Sequence, residues 1–221
     1  MKFDFTIVFQ YLPQLLWGLL VTLEICVVAL CGAFVLGLAV ALMRTSPSMV
    51  LRAIATVYVD IIRNIPFMVQ VFMFFYIAPF FGVRLSTMTI GIVSLMIFGT
   101  AYYGEVMRAG INAVARSQYE SGLAAGLGHL ETIWRIVLPQ SIPFLVPTMT
   151  NNTISLVKES AILSTITVPE LTAAAQRVTG ITFSPFEVFL MVAVLYWLVS
   201  FAIANIASTI GSFLLGARIV R

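Results

Sequence analysis

Long apolar runs separated by shorter polar segments dominate the chain, which has 221 residues. Five such runs cover residues 15–43, 53–81, 88–107, 136–157 and 186–215. A helix needs about 20 mainly apolar residues to cross the hydrocarbon core of a bilayer, and every run reaches that length. The pattern therefore predicts an all-α integral membrane protein with about five transmembrane helices in a single domain over residues 1–221.

The composition supports a membrane protein and excludes the soluble classes. Hydrophobic residues make up 61% of the chain and charged residues 10%, with a mean hydropathy of +1.05. Soluble domains are roughly 45–50% apolar and about 25% charged, and a chain of 24.3 kDa cannot bury this much apolar surface in water. A net charge of +3 is also too small for a nucleic-acid footprint.

The basic residues between the runs predict the orientation in the membrane. One set of connections holds seven of them, Arg44, Arg52, Arg108, Arg116, Arg135, Arg218 and Arg221, and the other holds four, Lys2, Arg84, Lys158 and Arg177. Cytoplasmic loops carry an excess of Lys and Arg. We therefore expect a multi-pass protein of the bacterial cytoplasmic (inner) membrane with its amino terminus outside and its carboxyl terminus in the cytoplasm.

The fourth run combines prolines with polar side chains, in the order Pro139, Pro143, Pro147, Asn151, Asn152 and Ser155. Each proline lacks an N–H and disturbs the helical hydrogen bonds around it. Irregular helices at membrane depth are tolerated mainly against protein or a water-filled cavity. The run is expected to be an irregular helix that lines a translocation pathway, or a kinked interior helix whose amides bond to its neighbours.

Acidic residues in or near the runs are Glu24, Asp60, Glu105 and Glu159. Charges inside a bilayer are expensive, so they face the interior or form pairs. Asp60 and Arg63 are three residues apart, and we expect them to pair on one helical face. Glu105 suits either a pathway or an anchor at the inner boundary.

Small residues recur at every fourth position in two of the runs. Ala29, Ala33, Gly37 and Ala41 form one stripe, and Ala204, Ser208, Ser212 and Gly216 form the other. Such stripes let helix backbones approach each other closely in lipid. They predict close helix packing within a bundle or an oligomer.

The polar segment 116–135 predicts a short helix on the inner face of the membrane. Ser117 and Glu120 have the spacing of a capping box, and Gly126 and Gly128 would end the helix. Between them the surface carries mostly small side chains, at Ser121, Gly122, Ala124 and Ala125. A helix of this kind can enter a groove on another protein, whereas the alternative is a plain turn between two spans.

The spacing of Glu120, Gly126, Ile136 and the pair Leu138-Pro139 resembles the signature loop of ABC-importer permeases. That signature reads Glu-Ala-Ala, three residues, Gly, nine residues, Ile-x-Leu-Pro, and this chain departs from it at 121 and 122. The segments YVDIIRNIPFMVQVFMFFY, AYYGEVMRAGI and LVKESAILSTITVPEL resemble the polar amino acid uptake family, which includes histidine-, glutamine-, glutamate- and arginine-type permeases. The second of them most resembles permeases for acidic amino acids of the glutamate-aspartate type.

The resemblance implies a type I ABC importer permease in which segment 116–135 is the coupling helix. The residues that would dock on a cytoplasmic ATP-binding subunit dimer are Glu120, Ser121, Gly122, Ala124, Ala125, Gly126, Leu127 and Gly128. A second permease chain, identical or homologous, and an extracytoplasmic solute-binding protein are the other implied partners.

The chain itself is not expected to be an enzyme or to bind a cofactor. Its only lysines, Lys2 and Lys158, do not follow a glycine, which excludes a phosphate-binding loop of the Walker A type. ATP and Mg²⁺ are therefore expected on the partner ATPase. His129 is the only histidine, which leaves no histidine cluster for a metal or for a catalytic triad.

A free amino acid presents a carboxylate and an ammonium group, so its site needs both donors and acceptors. Candidate contacts are Gln70, Tyr103, Asn152, Ser155 and Glu159. Glu159 could hold the ammonium group, and Gln70 or Asn152 the carboxylate, whereas each side chain could instead make a hydrogen bond between helices. An alternative function is an ion- or proton-coupled secondary transporter that uses Glu24 and Glu105 directly.

Overall fold

The computed structural model describes residues 6–219, with side chains for residues 6–213. Nine α-helices lie in this part of the chain: α1 (Thr6–Thr45), α2 (Met49–Asn64), α3 (Phe67–Ile77), α4 (Thr87–Ala113), α5 (Arg116–Ala124), α6 (His129–Thr132), α7 (Leu138–Glu159), α8 (Leu171–Thr182) and α9 (Pro185–Ile219). No strand occurs within residues 6–219. The predictions that involve Lys2 and Arg221 lie outside the described residues, and only the backbone is described at Gly216 and Arg218.

Each predicted run coincides with a helix or a pair of helices. In the described chain, α1, α4 and α9 are each long and apolar enough to cross a membrane alone. The second run is split into α2 and α3, which are bent by 103° relative to each other. α7 has 22 residues, about 33 Å at 1.5 Å per residue, but it is less apolar than α1, α4 and α9. The count of five spans stays a prediction.

The bend between α2 and α3 has a local cause at Pro66. The residue before a proline is driven out of the helical region by the proline ring, and Ile65 is accordingly extended, with φ −99° and ψ 129°. Because helix α2 ends there, the second apolar run cannot be one straight helix.

Helices α1 and α4 run in the same direction and pack closely along the first stripe of small residues. A Cβ on Gly37 would lie 2.8 Å from Cβ of Tyr103, and a Cβ on Gly99 would lie 2.9 Å from Cβ of Ala33. All four residues of this stripe are buried, which confirms its predicted role in helix packing. In the second stripe, the side chains of Ala204, Ser208 and Ser212 are exposed in the single chain.

α7 returns antiparallel to α4 and remains helical through Pro143 and Pro147. The expected irregularity is found at the start of the run, in a π-helical turn at Ile133–Val137 directly before Leu138 and Pro139. The α-helix then continues through Pro143 and Pro147. After a 3₁₀ turn at Ser160–Ile166, α8 packs on α1 near Gly18, and α9 runs back along α8 and α7.

Candidate translocation pathway and coupling site

One face of α7 is polar and exposed although the helix lies among apolar helices. Its exposed polar side chains follow helical spacing: Gln140, Thr148, Asn151, Ser155 and Lys158. Phe144 and Pro147 are exposed on the same side. Hydrocarbon cannot satisfy amide, hydroxyl and ammonium groups, so a face of this kind meets water or another protein chain.

Three of the predicted substrate residues lie on or beside this face. Ser155 is exposed. Asn152 and Glu159 are half-buried, and each directly follows an exposed residue in the sequence, Asn151 and Lys158. Lys158 brings a cation next to the Glu159 carboxylate along the chain. The structure therefore brings donors, acceptors and both signs of charge together on the last two turns of α7.

The other two predicted substrate residues are buried and hydrogen-bonded inside the chain. The Tyr103 and Thr153 hydroxyl oxygens are 2.6 Å apart, which joins α4 to α7. Gln70 Nε2 donates to the carbonyls of Ile62 and Ile65, each at 2.8 Å. Gln70 thus ties the start of α3 to the end of α2 across the bend.

Glu105 on α4 is held by two arginines at the same end of the bundle as α5. Arg108 Nη2 lies 2.6 Å from Oε1 and Arg108 Nε 3.1 Å from Oε2 of Glu105, and Arg44 Nη1 pairs with Oε2 from the end of α1. The anchor interpretation of Glu105 fits this arrangement, since its carboxylate links two helices.

The predicted pair between Asp60 and Arg63 does not form, and this expectation is wrong. The guanidinium carbon of Arg63 lies 5.3 Å from the centroid of the Tyr102 ring on α4, a cation–π distance. The backbone carbonyl of Asp60 accepts a hydrogen bond from Asn64 Nδ2 at 2.7 Å. Arg63 turns to a neighbouring helix, which spacing along one helix cannot reveal.

The short helix in the polar segment exists, but the capping box does not. α5 begins at Arg116, so Ser117 lies within the first turn, where its carbonyl accepts from the Ser121 hydroxyl at 2.7 Å. Glu120 Oε1 pairs instead with Arg116 Nε at 2.9 Å. An ion pair one turn apart replaces the reciprocal cap.

Gly126 caps the carboxyl end of α5, as the sequence predicts. Gly126 adopts φ +86°, its N–H donates to Leu123 O at 3.0 Å, and the N–H of Leu127 donates to Gly122 O at 3.1 Å. These two bonds form a Schellman motif, which favours glycine at the left-handed position. Gly128 has an ordinary φ of −70° and precedes α6, so it begins the next helix rather than ending α5.

The faces of α5 divide its small residues into two groups. Glu120, Ser121, Ala124 and Ala125 are exposed, as a docking surface requires. Gly122 is buried, and a Cβ there would lie 2.5 Å from Thr132 Cγ2 and 2.9 Å from Ile136 Cδ1. Its small size therefore serves packing within the chain, which differs from the predicted exposed position.

Sequence reasoning missed Glu170, which is completely buried in front of α8. Its carboxylate accepts from the backbone N–H of Thr172 at 2.9 Å and of Ala173 at 2.7 Å, and the Tyr196 hydroxyl donates to it at 3.2 Å. Burial raises the pKa of Glu170 and these hydrogen bonds lower it, with a net upward shift. The available signal was an acidic residue immediately before the helical segment LTAAAQRV.

The helical bundle carries a polar face on one helix and a short polar helix at one end, an arrangement typical of the membrane subunit of a transporter. Residues 33–212 match the family model described as "Binding-protein-dependent transport system inner membrane component". The chain belongs to this family, and its fold is that of type I ABC importer permeases.

Known relatives and a solved structure match this chain over almost its whole length. The chain is 36% identical over 191 residues to the "Probable glutamine ABC transporter permease protein GlnM" of Bacillus subtilis, covering 86% of this chain and 88% of the relative. It is 31% identical over 208 residues to the "Glutamine transport system permease protein GlnP" of Escherichia coli, covering 93% and 95%. A chain of "an amino acid ABC transporter with histidines" superposes with a TM-score of 0.87 at 30% identity, covering 96% of this chain and 99% of that one.

A second solved structure supports the fold alone. It is the MetNI methionine ABC transporter in inward-facing conformations, with a TM-score of 0.73 at 22% identity, covering 90% of this chain and 96% of that one.

Proposed function

We propose that this chain forms the translocation pathway for a polar amino acid in an ABC importer and couples transport to ATP hydrolysis on a separate cytoplasmic subunit. The exposed polar face of α7 is the observation that carries the proposal. A membrane-embedded polar face needs water or protein against it, and a pathway between two permease chains supplies both.

The substrate contacts are assigned from the positions of the side chains. Asn152, Ser155 and Glu159 contact the amino acid, with the carboxylate of Glu159 near the ammonium group and the amide of Asn152 near the carboxylate. Gln70 and Tyr103 already have hydrogen-bond partners inside the chain. They support the pathway wall, Gln70 by bracing the bend before α3 and Tyr103 by holding α7.

The substrate is proposed to be a polar amino acid, with glutamine as the first compound to test. The GlnM and GlnP relatives described above are both named for glutamine, and a further relative is named for L-cystine. The segment AYYGEVMRAGI, which resembles permeases for glutamate and aspartate, contributes Glu105 and Arg108 to an ion-pair cluster. Acidic amino acids form the second group to test.

Coupling is proposed to occur through the exposed side of α5. Glu120, Ser121, Ala124 and Ala125 would enter a groove of the ATPase, while Gly122 holds α5 against the turn before α7. Arginines collect at this end of the bundle, namely Arg44, Arg52, Arg108, Arg116 and Arg135. We therefore place this end in the cytoplasm and the start of α1 outside.

The proposed complex contains two permease chains, two ATP-binding subunits and an extracytoplasmic solute-binding protein. Its test is uptake by proteoliposomes that contain the purified complex. We expect uptake of a polar amino acid. This uptake should require ATP on the ATPase side and the binding protein on the other side of the membrane, and it should continue when an ionophore dissipates ion gradients. Uptake by this chain without an ATPase, driven by an ion gradient, would support a secondary transporter and overturn the proposal.

A further inference from the structure

A large apolar side chain interrupts the polar face of α7. At 3.6 residues per turn, Gln140, Phe144, Thr148, Asn151 and Ser155 fall within about 80° of one another around the helix axis. All residues of α7 are described, and among them Phe144 is the one large apolar side chain that is exposed. The face is therefore polar on both sides of Phe144 along the helix but apolar at its level.

Two prolines extend this apolar level around the helix. Pro143 and Pro147 are exposed beside Phe144, and their rings add apolar surface without an N–H group. We call Pro143, Phe144 and Pro147 the apolar belt. At a rise of 1.5 Å per residue, Phe144 lies about 16 Å along the axis from Ser155, toward the end of α7 that adjoins α5. The belt thus lies between α5 and the proposed substrate contacts.

Neither lipid nor water suits the apolar belt. A lipid-facing Phe144 would also turn the amides of Gln140 and Asn151, which are exposed on the same face, toward hydrocarbon that cannot satisfy them. Water is unfavourable for a phenyl ring that is 56% exposed. A protein surface that is apolar at the same level suits both requirements. Two permease chains related by a two-fold axis bring the same surface of each chain together in this way.

Helix α5 contacts the part of α7 that leads into the belt. Gln140 Nε2 donates to Gln118 Oε1 of α5 at 3.1 Å, and a Cβ on Gly122 would lie 2.9 Å from Ile136 Cδ1. Gln140 precedes Phe144 by four residues and lies on the same face of the helix. A displacement of α5 would therefore reach the belt through one helical turn.

We propose that Phe144 is a gate residue of the translocation pathway. The apolar belts of two permease chains meet and exclude water on the α5 side of the substrate contacts, and a movement of α5 separates them. Apolar constrictions close aqueous pores by dewetting. This proposal rests on the proposed function, which places the polar face of α7 at a pathway between two permease chains.

The test measures thiol modification of Ser155→Cys in the complete permease–ATPase complex, in proteoliposomes and with Cys26 and Cys31 replaced. A membrane-impermeant reagent is added on the ATPase side or on the binding-protein side, with and without a non-hydrolysable ATP analogue. Phe144→Ala removes the ring, and Phe144→Leu keeps apolar bulk. The matched control is Phe34→Ala, because Phe34 is 49% exposed and lines a cavity on the opposite side of α7.

With Phe144 in place, we expect the reagent on the ATPase side to reach Ser155→Cys in one nucleotide condition and to be excluded in the other. In the excluded condition, Phe144→Ala should raise the rate of modification at least about tenfold, as for the loss of one buried aromatic ring. Phe144→Leu and Phe34→Ala should keep the exclusion.

Three results would overturn the gate: the same rate in both nucleotide conditions, an unchanged rate in Phe144→Ala, or an equal increase in Phe34→Ala. Each of them leaves the pathway intact as long as the reagent on the binding-protein side modifies Ser155→Cys. Absence of modification from both sides would instead contradict the pathway itself and, with it, the gate.

Discussion

Glu105 on α4 is ion-paired with Arg44 at the end of α1. The two helices run in parallel and are packed through small residues, so this pair fixes their relative position at the end where α4 leads into α5. A displacement of α5 by an ATPase would therefore reach both helices. A carboxylate held in this way is poorly placed to carry protons, which weakens the case for a secondary transporter.

Glu105→Gln should destabilise the protein because it leaves two arginines without their counter-charge. The side chains of Arg44, Glu105 and Arg108 are 14%, 22% and 30% exposed, so the loss should be about 1–3 kcal/mol in the free energy of unfolding. Thermal unfolding of the purified chain measures it.

The matched control is Glu131→Gln, which removes the exposed pair between Glu131 and Arg135 at 3.0 Å. An exposed pair one turn apart contributes about 0.2–0.5 kcal/mol. Equal effects of the two substitutions would show that the Glu105 cluster is not a structural anchor.

Two Gly→Ala substitutions should shift stability in opposite directions. A Cβ at Gly37 would lie 2.8 Å from Tyr103 Cβ and 3.1 Å from the backbone nitrogen of Gly104, and overpacking of this kind costs about 1–3 kcal/mol. At Gly180 on α8 nothing lies within 4 Å, so Ala should stabilise the helix by about 0.5–1 kcal/mol. Melting temperatures that shift in the same direction would contradict the packing of α1 on α4.

Gly126→Ala should loosen the end of α5, because φ +86° is unfavourable for any residue with a Cβ. We expect a loss of about 1 kcal/mol and faster hydrogen exchange at the amides of Gly126 and Leu127. Gly128→Ala is the control, since Gly128 has φ −70° and nothing within 4 Å of a Cβ. Unchanged exchange in Gly126→Ala would rule out the Schellman motif.

Glu170 should make stability depend on pH. Its pKa is raised in the folded state, chiefly by burial, so protonation stabilises the fold. This contribution is complete below the usual pKa of a glutamate and is lost as the pH rises through the raised value. In Glu170→Gln this dependence should disappear, whereas Glu131→Gln should keep it. Denaturant unfolding at several pH values measures the difference, and parallel profiles for Glu170→Gln and the unchanged protein would contradict it.

Features set by local patterns were predictable from the sequence. The apolar runs correspond to helices, Pro66 explains the bend in the second run, and Gly126 ends α5. These outcomes depend on hydropathy or on the backbone of one or two residues, which the sequence displays directly.

Features that depend on distant partners were not predictable. Arg63 contacts Tyr102 on another helix and not Asp60 on the same helix. Glu105 forms an ion pair with Arg44, which is 61 residues away in the sequence. Local spacing also suggested a cap at Ser117, but α5 starts earlier, at Arg116, and Glu120 pairs with Arg116 instead of bonding back to the backbone.

The central claim is that the polar face of α7 lines an aqueous pathway, and cysteine accessibility in the reconstituted complex tests it most directly. In a background with Cys26 and Cys31 replaced, Ser155→Cys on this face is compared with Val28→Cys, which is exposed on the apolar surface of α1. A membrane-impermeant thiol reagent should modify Ser155→Cys rapidly, more slowly when a transported amino acid is present, and should not modify Val28→Cys. Modification of Val28→Cys alone, or of neither, would contradict the account.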